Sequence, residues 1–137
     1  MNINFNSLQA PEPVGSYPHA KRVGGFLFLS GVGPRKRGSK KIPGVTLSED
    51  GKVLHYDIKK QCVSVFENIK LILEESGSSW NNIVDVTVFL TNMGCDFEEY
   101  NKLYAEYFSG PFPTRTTIEV GCLPTPIAIE LKVIATV

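Results

Sequence analysis

Apolar residues recur along the chain with two different periods. Ile58, Cys62, Val65, Phe66, Ile69, Ile72 and Leu73 stand three or four positions apart. That spacing lays them on one face of a helix running from Asp57, a good N-cap, to about Ser76, with Gly77 as its stop. Val84, Val86, Val88 and Leu90 then alternate with Asp85, Thr87 and Phe89, the mark of a half-buried strand. Asp96 and Glu99 have the spacing of a capping box and predict a second helix there. It carries Phe97, Tyr100, Leu103, Tyr104 and Tyr107 on one side and ends at Gly110-Pro111-Phe112-Pro113. Thr114 to Val120 is rich in β-branched residues and reads as a strand. After a Gly121–Pro126 loop, Ile127, Ile129, Leu131, Val133, Ala135 and Val137 alternate along a last strand.

Upstream the pattern is weaker. Residues 1–18 read as an extended arm bearing Pro11, Pro13 and Pro18, with one short strand at Ile3 to Phe5. Ala20 to Val32 reads as strand, turn, strand around a Gly24-Gly25 loop. Phe26-Leu27-Phe28-Leu29 is expected to be buried on both faces. Residues 33–56, punctuated by Gly33, Pro34, Gly38, Pro43, Gly44 and Gly51, form a long irregular loop of the kind that often carries function. The order is β-β-α-β-α-β-β, an α+β arrangement with a mixed sheet and two helices on one face. The second face of the last strand, from Ala128 through Glu130, Lys132, Ile134 and Thr136, is partly apolar, and a closed homo-oligomer would cover it.

Length narrows the reading to one domain, residues 1–137. Fourteen Lys and Arg balance 14 Asp and Glu, which weighs against a general nucleic-acid binder. Residues 34–41 hold five cations and no anion, so the remainder is acidic. No apolar run approaches the roughly 20 residues of a bilayer span, and no signal peptide is visible, so a cytoplasmic protein without a membrane partner is expected. Cys62, Cys95, Cys122, His19 and His55 lie too far apart for a local zinc site, and neither a metal nor a cofactor is expected.

No nucleophile elbow, phosphate-binding loop or HExxH motif occurs. Arg115 starts one strand directly after a Pro-Phe-Pro turn, and Glu130 lies in the next. If those strands pair, or meet across a subunit boundary, a guanidinium and a carboxylate share a pocket. The first grips a substrate carboxylate through paired hydrogen bonds, and the second deprotonates water. A plain salt bridge between neighbouring strands is the alternative reading. Glu119 shares the strand face of Arg115 and is a competing carboxylate.

The segment Pro113-Thr114-Arg115-Thr116-Thr117-Ile118-Glu119-Val120-Gly121-Cys122-Leu123-Pro124, followed by Ile127-Ala128-Ile129-Glu130-Leu131, resembles the C-terminal hallmark of the Rid (reactive intermediate deaminase, YjgF-type) family. Gly15-Ser16-Tyr17, Leu29-Ser30-Gly31, Gln61, Asn68-Ile69, Asp96-Phe97 and Tyr100-Asn101 extend the likeness over nearly the whole chain. The resemblance implies a chorismate-mutase-like fold and a homotrimer, or a hexamer, with sites between subunits. It also implies cofactor-free hydrolysis of imines or enamines to a carbonyl compound and ammonia. Carried over, Arg115 holds the substrate carboxylate and Glu130 activates water. Tyr17, Gly31, Phe97 and Asn101 line the pocket, and the Thr117 backbone binds the same carboxylate. Thr117 stands where many members have Cys.

Gly15 to Ala20, Ser30 to Arg35, the long insert and Leu123 to Leu131 are most similar to the 2-aminomuconate deaminase branch, which yields 2-oxohex-3-enedioate (4-oxalocrotonate) and ammonia in aromatic-acid or tryptophan breakdown. Its dicarboxylate substrate needs a second cation or donor, for which Arg35 and His19 are the candidates. A generalist deaminase of 2-aminoacrylate or 2-iminopropionate, and a non-catalytic chaperone-like binder, remain as alternatives.

Overall fold

The computed structural model describes residues 2–137. The strands are β1 (Ile3–Phe5), β2 (Ala20–Val23), β3 (Phe26–Leu29), β4 (Val45–Leu47), β5 (Val53–Tyr56), β6 (Ile83–Leu90), β7 (Thr114–Glu119) and β8 (Ile129–Thr136). The helices are α1 (Ile58–Glu75) and α2 (Met93–Tyr107). One sheet has the order β1-β2-β3-β8-β6-β7, and only β6 and β7 run parallel. Both helices cover one face of this mixed sheet. Leu27, Leu29, Val86, Val88, Leu131 and Val133 are sealed there against Val65, Ile69 and Leu73 of α1.

Local chemistry explains the ends of α1. The Asp57 carboxylate accepts from the Lys60 N–H at 3.2 Å. At the other end Ser78 N–H reaches Leu73 O at 2.8 Å and Gly77 takes φ +82°, which together close a Schellman turn. The second helix departs from expectation. It begins at Met93 with Asn92 as cap, because Asn92 Oδ1 accepts from Cys95 N–H at 3.1 Å. Glu119 Oε1 accepts from Met93 N–H at 2.8 Å and sets a carboxylate at the positive end of the helix. Asp96 is therefore no cap. It is buried and accepts from the Tyr56 hydroxyl at 2.6 Å.

Two further expectations change. Residues 33–56 are not all loop, since β4 and β5 pair as a separate hairpin, Val45 opposite Tyr56. And β3 is buried on one face only: Phe26 and Phe28 are 48% and 38% exposed on the sheet face that no helix covers. No helix among the described residues is long and apolar enough to cross a membrane.

Candidate active site

β6 lies between β7 and β8, so the strands carrying Arg115 and Glu130 do not pair. Directly opposed residues share a face. Arg115 lies opposite Val86 and Thr117 opposite Val88, on the helix side. Glu130 lies opposite Phe89, on the bare side. Within one chain the two residues therefore occupy opposite faces of the sheet, with no salt bridge between them.

On the bare side, Glu130 joins Tyr17, Gly31 and Arg35 around a cavity of about 320 Å³. Gly31 makes room for the carboxylate, because a methyl at that position would sit 2.6 Å from Glu130 Oε2. Burial pushes the Glu130 carboxyl above the usual carboxylate range, and the Arg35 charge opposes that rise. Among the described residues Glu130 has neither an ion pair nor a side-chain hydrogen bond, so its oxygens are free to act. The Tyr17 hydroxyl accepts from Val14 N–H at 3.2 Å, which holds the proline-bearing arm as a cavity wall.

On the helix side, the Arg115 guanidinium lies over two rings of α2, 4.7 Å from the centroid of Tyr104 and 5.4 Å from that of Tyr100. Its Nη1 donates to Asn101 Oδ1 at 2.9 Å. No carboxylate pairs with it among the described residues. Phe97 lies one turn before Asn101 and packs edge-on against Tyr100. Thr117 follows Arg115 along β7, an edge strand. Val120 N–H bonds Leu90 O of β6 at 2.8 Å, and strand amides alternate in direction. The N–H groups of Arg115 and Thr117 therefore point to the open edge.

The remaining candidates have structural duties. His19 Nδ1 accepts from Ser7 N–H at 2.9 Å, so Nε2 carries the proton and donates to Pro11 O at 2.7 Å. Both ring nitrogens are spent on the arm, and the expectation that His19 reaches a substrate is corrected on that ground. In the basic loop, Arg37 donates to Ser7 O, Ala10 O and the Glu12 carboxylate, and Lys36 pairs with Glu67. Arg35 donates to Glu12 O at 2.7 Å, yet still faces the Glu130 cavity. The Glu119 carboxylate is engaged with the Met93 N–H at the start of α2, away from the Glu130 cavity.

The family model described as Endoribonuclease L-PSP matches residues 7–137. The chain belongs to this family, whose members are also called RutC or Rid proteins. A RutC family protein of Pyrococcus abyssi is 41% identical over 127 residues, covering 93% of this chain and 91% of that protein. The crystal structure of RidA from an Antarctic Psychrobacter superposes with a TM-score of 0.84 at 30% identity, covering 98% of this chain and 99% of the other. Escherichia coli TdcF with bound serine gives 0.83 at 28% identity, covering 98% of each chain. These likenesses make the fold chorismate-mutase-like.

In this Rid-family chain, sequence reasoning missed the two tyrosines under Arg115. Tyr104 is legible in the sequence only as part of an apolar helical stripe, and Tyr100 beyond that only as the neighbour of Asn101 in the family likeness, with no role attached. The signal was that they fall beside Asn101, the residue that also holds Arg115. Among the described residues no cluster of three or more His, Cys, Asp or Glu is arranged to hold a metal.

Proposed function

We propose that this protein is a cofactor-independent hydrolase of imine or enamine carboxylic acids, acting as a homotrimer whose sites join Arg115 of one copy to Glu130 of the next. The observation that carries this reading is the pair of unpaired charges: a braced guanidinium without a carboxylate and a carboxylate without a partner, on opposite faces of one sheet. Each half lacks what the other supplies. Family membership supports imine or enamine deaminase chemistry in general, and the serine bound to TdcF supports a small amino-acid-like ligand.

The reaction follows from the groups. The substrate carboxylate docks on Arg115 with paired hydrogen bonds, assisted by the Thr117 N–H. An enamine first tautomerises to its imine. Glu130 takes a proton from water as the water oxygen bonds to the C=N carbon. That proton passes to nitrogen to give a carbinolamine; the hydroxyl proton then follows to nitrogen through Glu130, the C–N bond breaks as the C=O bond forms, and a ketone and ammonia leave. Imine plus water thus balances carbonyl plus ammonia.

Arg35 gives the finer assignment. It stands in the Glu130 cavity, away from Arg115, where a second carboxylate at the far end of the substrate would lie. This favours a dicarboxylate such as 2-aminomuconate over 2-iminopropionate. His19 is left out of that role. The family model's own description offers ribonuclease activity as a second reading, and the balanced charge of the chain weighs against it.

Mixing two inactive variants tests the site. Arg115→Ala and Glu130→Gln are each expected to abolish ammonia release. Co-refolded at equal amounts, they regain about a quarter of wild-type activity, because every mixed trimer restores a single intact site. No recovery would overturn the shared site. Wild type that releases no ammonia from either 2-aminomuconate or 2-iminopropionate would overturn the reaction. An Arg35→Ala variant with an unchanged KM for 2-aminomuconate would remove the dicarboxylate assignment.

A further inference from the structure

Helix α1 buries three polar side chains along an otherwise apolar face. Gln61, Ser64 and Asn68 are 0%, 3% and 1% exposed. Spaced three and four positions apart, they form one narrow stripe. Burying such groups is costly unless their hydrogen bonds are made, so what they hold is informative. All three hold backbone. Gln61 Oε1 accepts from the Ala128 N–H at 2.9 Å, two residues before Glu130. Ser64 Oγ donates to Pro34 O at 2.7 Å. Asn68 Nδ2 donates to Gly33 O at 3.0 Å and to Arg35 O at 2.8 Å.

Three successive carbonyls, those of Gly33, Pro34 and Arg35, are thus bound from one helix. The path of the chain explains why. Val32 exchanges both of its backbone hydrogen bonds with Leu131, at 2.8 and 3.0 Å, and there the segment leaves the sheet. Pro34 has no N–H with which to continue a ladder, and the carbonyls around it need donors from elsewhere. Ile127 closes the other side, since a Cβ on Gly33 would meet Ile127 Cδ1 at 2.9 Å. The segment is therefore held between α1 and a wall of the Glu130 cavity. It ends in Arg35, whose guanidinium donates to Glu12 O at 2.7 Å and has no carboxylate partner among the described residues.

We propose that Asn68, with Ser64, is a positioning residue for the end of the site that takes the second carboxylate. The pair fixes the Gly33–Arg35 backbone so that the Arg35 side chain lines the Glu130 cavity. Asn68 suits this task because one side-chain NH2 carries two donors, enough to span carbonyls two residues apart. Neither side chain touches substrate, since both are buried beneath the segment. They act through Arg35. The recognition of a dicarboxylate rests on the proposed function; the anchoring of Arg35 does not.

The test compares two non-reacting 2-oxo acids, 2-oxoglutarate with two carboxylates and pyruvate with one. Each is titrated into wild type, Asn68→Ala, Ser64→Ala, Arg35→Ala and the double variant of Asn68 and Arg35. Wild type binds 2-oxoglutarate about tenfold or more tighter than pyruvate, the worth of a hydrogen bond between charged groups. Asn68→Ala weakens 2-oxoglutarate about five- to tenfold and leaves pyruvate within about twofold. Ser64→Ala removes one oxygen and one bond and has the same effect on a scale of about threefold. It carries the comparison if Asn68→Ala does not fold. In the Arg35→Ala background, Asn68→Ala weakens 2-oxoglutarate no further, because its effect passes through Arg35. A role in packing alone would weaken both ligands alike, or would persist without Arg35. Either result, or an unchanged Kd for 2-oxoglutarate in the folded variants, would overturn the inference. A wild type that does not prefer 2-oxoglutarate would overturn it together with the dicarboxylate assignment, leaving deamination to the ammonia assay. Preference for 2-oxoglutarate in a wild type that releases no ammonia would remove the deaminase reading and leave this one standing.

Discussion

Gly31 matters through the side chain it lacks. A Cβ there would stand 2.6 Å from Glu130 Oε2, a separation that real structures do not tolerate, so the carboxylate would have to move. Gly31→Ala is expected to lower the rate of ammonia release at least about tenfold, the scale on which a misplaced base is felt, with little change in melting temperature. Glu130 itself makes a prediction of opposite sign for stability. Burial raises its carboxyl above 4.5, so the folded chain binds that proton more tightly than the unfolded one. The stability linked to Glu130 is therefore full below pH 4.5 and lost as pH rises through the raised value. Glu130→Gln should be more stable than wild type at neutral pH and lose that advantage in acid, which thermal melts across pH would show. Its ammonia release should fall by about a hundredfold or more, the usual contribution of a general base. Glu119→Gln should keep its turnover and lose about 0.3–1 kcal/mol of stability, because that carboxylate serves the N-terminus of α2.

At the scale of elements, the basic loop after β3 proves to be a latch. Arg37 fastens the N-terminal arm through Ser7 O at 2.8 Å, Ala10 O at 2.7 Å and the Glu12 carboxylate at 2.9 Å. His19 and the Ser7 hydroxyl, which donates to Glu75 at 2.8 Å, hold the same arm from below. The arm in turn walls the Glu130 cavity with Val14 and Tyr17. Arg37→Ala should speed amide exchange of residues 7–14 and raise KM more than it lowers kcat, because the wall loosens while the base stays in place. α1 and β6 were legible in the sequence because a long apolar period needs no partner to be read. The hairpin of β4 and β5 was not. Its strands are short and Leu54 is 68% exposed, so no alternation marks them. The start of α2 was misread because the Asp96–Glu99 spacing competes with Asn92, the actual cap, and the added contact of Glu119 with the Met93 N–H comes from 26 positions away, where local spacing records nothing.

At the scale of the whole molecule, the bare sheet face carries Phe26, Phe28, Phe89 and Ile134 beside Glu130 and Lys132. Lys132 donates to Leu29 O at 2.6 Å and is depressed by burial, so even its charge is drawn in towards the sheet. An exposed apolar face next to an unpaired carboxylate is what an interface between copies requires. Phe28→Asp should shift sedimentation to the monomer and abolish ammonia release, leaving circular dichroism close to wild type. The sequence by itself determined the helix and strand periods, the α+β class and the residue types that matter, because those are properties of neighbours along the chain. Only the tertiary structure decided that β6 separates Arg115 from Glu130, that His19 is spent on the arm, and that two tyrosines brace the guanidinium. Strand order and sheet face are set by which apolar surfaces close over one another. That choice depends on contacts between distant residues, and no local pattern records it.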